Sequence, residues 1–112
     1  MTVFALKYLH DISDAINDLD SCLIDIENYE MFSTDFALKR VAERQFEIIG
    51  EALRKYNSIE GVEKIEDAKK IIGLRNIIAH AYDSIDYALI WAIIKRDLPV
   101  LKTEVDNIIK TS

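Results

Sequence analysis

The chain is expected to fold as an all-α protein, an up-and-down bundle of four to five helices. Three observations predict this. Apolar residues recur at steps of three and four along most of its length. Only three glycines and one proline interrupt 112 residues. No stretch alternates apolar and polar side chains as a half-buried strand would. The length suits one domain with a modest core, and no repeat or low-complexity segment divides it, so residues 1–112 are read as a single helical domain.

From Phe4 to Tyr29 the stripe runs through Ala5, Tyr8, Leu9, Ile12, Ala15, Ile16, Leu19, Cys22, Leu23 and Ile26, with acids between, which predicts one long amphipathic helix. Cys22 is the sole cysteine, so no internal disulfide is possible, and its place on the stripe predicts an inert core thiol. In FSTD, residues 32–35, Ser33 and Thr34 are candidate caps for a second helix running to about Tyr56. Leu38, Val41, Ala42, Ile49, Ala52, Leu53 and Tyr56 form its apolar side, and Arg40, Arg44, Glu47, Glu51 and Arg54 a charged stripe opposite. Gly50 sits mid-helix at a cost of about 1 kcal/mol relative to alanine, which suggests close approach by another backbone. NSIEG, residues 57–61, reads as a turn. A shorter helix then follows Ile65, Ala68, Ile71 and Ile72 into the segment GLRNIIAHAYDSID, residues 73–86. A further helix is expected from about Asp86 to Arg96 with Leu89, Ile90 and Ile93 inward. Asp97-Leu98-Pro99 restarts or kinks the chain into a last helix lined by Leu98, Leu101, Val105 and Ile108.

Charge is unevenly distributed. The formal net charge is −6; residues 1–35 set Lys7 against eight acids, a net of −7, and the remaining 77 residues carry +1. General affinity for nucleic acid is therefore not expected, and a polyanion would have to meet a local patch in the C-terminal two thirds. No apolar run approaches the length of a membrane span, and MTVFALKYLHD meets Lys7 and Asp11 before a secretory core could form, so the expected compartment is the cytoplasm.

The segment 73–86 concentrates the chemistry. On a helix Asn76 and His80 share a face, and Arg75, Ala79 and Tyr82 form a neighbouring stripe. Arg75 and His80 lie about 140° apart at 100° per residue, so they need not meet within one chain. A second copy crossing at a two-fold axis would bring two arginines and two histidines to one cleft, and the small Ala79 and Ala81 would permit the approach. Metal-ligand spacing, a glycine-rich phosphate loop and a nucleophile elbow are all missing. Histidine with arginine suits phosphodiester cleavage in RNA. His80 would take the proton of the attacking 2′-hydroxyl, and Arg75 would stabilise charge on the phosphoryl oxygens. The same residues also fit a structural role, neutralising a helix end and bonding its carbonyls. A metal site from His80, Asp83 and Asp86 would want further ligands. His10 reads as a surface or boundary residue.

RNIIAHAY, residues 75–82, resembles the Arg-x-x-x-x-His-x-Tyr motif of HepT-like proteins, a branch of the HEPN superfamily. RVAERQFEIIGEAL, residues 40–53, resembles that family's second-helix segment, and GLRN followed by DSIDYALIWAIIKRDLPVL its C-terminal half. The resemblance implies a helical homodimer with both motifs facing a shared cleft. It implies a metal-independent endoribonuclease needing no cofactor, the toxin of a type VII-like toxin–antitoxin pair. Its antitoxin would be an MntA-like nucleotidyltransferase that transfers AMP onto the motif tyrosine. Carried onto this sequence, Arg75 and His80 would be catalytic, Asn76 supporting and Tyr82 the AMP acceptor. A bulky anion two residues from His80 would block the cleft and repel a phosphate backbone. The alternative is a non-catalytic dimeric module that binds the nucleotidyltransferase and is modified by it.

Overall fold

The apolar stripe of the first predicted helix is helical only as far as Cys22. In the computed structural model, which describes residues 2–112, α1 spans Val3–Cys22 and is capped by Thr2, whose hydroxyl accepts the Ala5 N–H at 3.1 Å. The chain turns at Leu23, and Asn28 starts the short α2, Tyr29–Ser33, by accepting the Met31 N–H through its side chain. The single helix expected over residues 4–29 thus ends at Cys22, and a second, short one begins at Tyr29. The stripe conceals the break because Leu23 stays buried and Ile26 half-buried after the backbone has turned. Cys22, at the end of α1, is exposed, which overturns its reading as a core thiol.

α3, Phe36–Asn57, is capped by Asp35, whose carboxylate accepts the Leu38 N–H at 3.0 Å. Ser33 and Thr34, the expected caps, instead donate their hydroxyls to the Glu30 carbonyl and close α2. The inner side of α3 buries Ala42, Phe46, Ile49, Gly50, Ala52, Leu53 and Tyr56, with Leu38 and Val41 half-buried at its edge. This helix is the centre of the molecule, packing chiefly against α1 and then against α4, Lys69–His80. The connection between α3 and α4 is pinned rather than loose. Buried Tyr56 donates its hydroxyl to the Glu63 carbonyl at 2.7 Å, and the Asn57 amide exchanges two hydrogen bonds with the Ile65 backbone. Gly61, at φ +83°, supplies the turn that other residues rarely adopt.

A 3₁₀ turn at Glu66–Ala68 leads into α4, which buries Ile71, Leu74 and Ile78. Asp86 caps α5, Tyr87–Ala92, accepting from the Ala88 and Leu89 N–H groups. One π turn, Ile93–Asp97, joins α5 to α6, Leu98–Lys110, with Pro99 in the first turn of α6. Ile90 and Ile93 point inward as expected; Leu89 does not, being 39% exposed. Leu98, Leu101, Val105 and Ile108 are buried as predicted.

Two tertiary links hold the ends. Phe32 stacks on Trp91 at 5.4 Å between centroids, tying α2 to α5. Ser13, Lys102 and Asp106 form a polar bridge from α1 to α6. The result is an all-α bundle, with no strand and no helix long and apolar enough to cross a membrane among the described residues.

Candidate active site

Gly50 and Arg75 mark a close approach of α3 and α4. A Cβ on Gly50 would overlap the Arg75 Cβ and stand 2.8 Å from its Cγ and 3.3 Å from the Ile71 carbonyl oxygen. This is the close approach expected of that glycine. Bringing the α4 backbone in so tightly places the Arg75 guanidinium over the next residue of α3, Glu51, and its Nη2 lies 3.0 Å from a Glu51 carboxylate oxygen.

Arg75 also donates through Nη1 to the Asn76 side-chain oxygen at 3.2 Å. Its Nε is buried without an acceptor. A guanidinium has five N–H donors, so one hydrogen on each terminal nitrogen remains for a ligand. Glu51 is itself held from both sides, because Arg54 pairs with the carboxylate oxygen that Arg75 leaves. The Arg54 hydrogen bond, with the charges of Arg54, Arg75 and Lys55, keeps the Glu51 carboxyl below the usual glutamate range despite some burial. Glu51 is therefore an anion at neutral pH. Beside it a groove of about 330 Å³ opens between α1 and α3, with Lys7, Tyr8, Glu47 and Lys55 along its walls.

His80 is the last residue of α4 and is exposed, on the face that also carries Gly73, Asn76 and Ile77. The Ala81 N–H closes the helix on the Ile77 carbonyl at 2.8 Å, after which Ala81 leaves helical geometry at φ −142°, ψ 50°. Tyr82 therefore lies in a separate 3₁₀ turn, Tyr82–Ser84, and is 77% exposed. The expected stripe of Arg75, Ala79 and Tyr82 is not formed: the helix ends two residues too early. Arg75 and His80 remain on one helix, Arg75 turned toward α3 and His80 toward solvent. Among the described residues no hydrogen bond or ion pair joins Arg75, His80 and Tyr82 to one another. Nor do any three His, Cys, Asp or Glu side chains there, including His80, Asp83 and Asp86, form a metal-binding group.

Beyond the turn, Tyr87 donates its hydroxyl to Glu43 at 2.5 Å, and Lys39 stands 4.8 Å over its ring. Burial, then the Glu43 hydrogen bond, raises the Tyr87 phenol above its ordinary value. This contact fastens the segment after the motif to the front of α3. Neither Tyr87 nor Glu51 stands out in the sequence as a site residue. Glu51 had one signal, its place beside a glycine too costly to sit mid-helix without a partner.

A family model described as "Ribonuclease HepT-like" matches residues 12–108. "Putative RNase MJ1380" of Methanocaldococcus jannaschii is 40% identical over 101 residues, spanning 88% of this chain and 91% of that protein. "Putative RNase MJ0125" of the same organism is 32% identical over 106 residues, 94% and 84% of the two chains. "Probable ribonuclease HepT" of Thermococcus cleftensis is 29% identical over 104 residues, 92% and 94%. No solved structure gives a significant match. The match spans α1 to α6 and takes in the whole Arg75–Tyr82 segment: the chain belongs to the HepT-like ribonuclease family.

Proposed function

We propose that this protein is a metal-independent endoribonuclease, the toxin of a toxin–antitoxin pair acting in the cytoplasm, with Arg75 and His80 as its catalytic residues. The observation that carries the reading is the arrangement of α4. Arg75 is anchored on α3 with two terminal N–H groups to spare, and His80 stands exposed at the end of the same helix.

In this reading His80 takes the proton of a ribose 2′-hydroxyl as that oxygen attacks the adjacent phosphorus. Arg75 stabilises the charge gathering on the non-bridging oxygens, the bond from phosphorus to the 5′-oxygen breaks as that oxygen takes a proton from water, and a 2′,3′-cyclic phosphate remains. DNA lacks the nucleophile and is not cut by this route. Because His80 and Arg75 diverge around α4, the working site is assembled from two copies, packed through the face of Gly73, Asn76, Ile77 and His80. Ile77, 38% exposed on that face, gives the contact an apolar centre. Tyr82, with its phenol open to solvent, is the AMP acceptor for an MntA-like nucleotidyltransferase antitoxin. An adenylate there adds a bulky anion near His80 and turns the substrate's phosphates away.

The test is cleavage of total RNA in excess EDTA by protein produced without any nucleotidyltransferase, beside a folded His80→Ala variant. Fragments ending in 2′,3′-cyclic phosphate with wild type, and none with the variant, are expected. An inert, unmodified wild type would leave the chain a binding module for its nucleotidyltransferase partner.

A further inference from the structure

Glu51 lies outside the motif, yet it is the only carboxylate paired with Arg75 among the described residues. Gly50 draws α4 in against α3, Arg54 holds one carboxylate oxygen, and the other receives Arg75 at 3.0 Å. Both side chains of the Glu51–Arg75 pair are only 26% exposed, so the contact is not a solvent-bathed surface pair whose partners drift apart.

The Arg75 side chain is not free in solvent. Its Nε is buried, so the guanidinium sits partly within the packing of α3 and α4. An arginine freed from Glu51 would swing its long chain toward water and pair that nitrogen there. Tied to Glu51 and Asn76 at once, the planar guanidinium has little freedom to turn.

We infer that Glu51 is a positioning residue for the ribonuclease reaction, fixing the Arg75 guanidinium so that its free N–H groups meet the phosphate undergoing attack. This rests on the reading of Arg75 as the phosphate-binding residue. Glu51 does not itself touch substrate; as an anion it would repel the phosphate if it did. Its contribution is the difference between an arginine already aimed and one that must be ordered as the transition state forms.

The inference is tested with Glu51→Gln, which keeps the shape and an acceptor oxygen and removes the charge. It is assayed for cleavage of one defined RNA oligonucleotide beside wild type, Arg75→Lys and the double variant, with melting temperatures confirming that each is folded. A fall in kcat on the order of 10- to 100-fold is expected for Glu51→Gln with KM within about twofold, the size seen when a catalytic group is slightly misplaced. In the Arg75→Lys background the same change should cost little further, because a lysine has no guanidinium plane to orient. A folded Glu51→Gln enzyme with wild-type kcat, one that cleaves faster, or a double variant whose losses simply multiply would overturn the positioning role while the ribonuclease reading stands. A wild type that cuts no RNA would instead overturn the ribonuclease reading, and this inference with it.

Discussion

Gly50 shows how one missing methyl group shapes a site. Its helix penalty was readable in the sequence, and so was its consequence, that some backbone comes close. Which backbone was not readable, because spacing within α3 says nothing about which residue of α4 it meets. For the same reason Glu51 read as one more charge on a polar stripe: a carboxylate aimed at water and one aimed at a neighbouring helix have the same helical phase. Gly50→Ala tests the geometry. Alanine gains about 1 kcal/mol in helix propensity, but its Cβ meets the Cβ of Arg75, which is rooted in α4 and cannot rotate away. Forced separation of packed helices costs about 1–3 kcal/mol, so the expected result is a net loss of stability, read as a lower urea midpoint with an unchanged slope. A variant as stable as wild type would mean that Gly50 does not set the spacing of α3 and α4.

Element boundaries were the part of the fold that the periodicity could not fix. Leu23 and Ile26 continue the stripe of α1 through a turn because burial follows the direction of the side chain and not the state of the backbone. The motif helix likewise read through to Tyr82, since nothing between His80 and Tyr82 is a helix breaker; the residue that ends it, Ala81 at φ −142°, ψ 50°, is ordinarily a good helix former. The polar link between α1 and α6 was equally hidden, as Ser13 and Asp106 stand 93 residues apart. Its energetics are testable by pH. The Lys102 hydrogen bond first, then that of Ser13 and the charges of Lys102 and His10, hold the Asp106 carboxyl below the ordinary aspartate value of 3.8. A folded-state pKa below the unfolded one contributes stability that is present above 3.8 and lost as the pH falls through the lower folded value. Asp106→Asn should therefore be less stable than wild type at pH 7, with the gap closing below pH 3.8. Parallel urea titrations at the two extremes measure it, and a gap that persists in acid would assign the loss to packing and not to charge.

At the scale of the whole molecule, fold class and family were legible while the assembly of the site was not. All-α architecture follows from composition and stripe, and residues 75–82 carry the family resemblance, but one chain leaves Arg75 against α3 and His80 facing outward. The proposed dimer makes a sharp demand on stoichiometry. If each working site takes Arg75 from one copy and His80 from the other, then Arg75→Ala and His80→Ala proteins, each inert alone, regain activity when unfolded and refolded together. Half of the randomly paired dimers are mixed, and each mixed dimer has one intact site of two, so roughly a quarter of wild-type cleavage should return. If both residues act within one chain, every site in the mixture lacks one of them and nothing returns. The acidic N-terminal third sharpens the same experiment, since a net of −7 over residues 1–35 directs RNA away from α1 and toward whatever surface the two copies build together. Recovered activity should then fall steeply with added salt, in parallel with wild type, because the rebuilt site meets the same phosphates. A recovered activity indifferent to salt would point to a contaminating nuclease instead of a reassembled site.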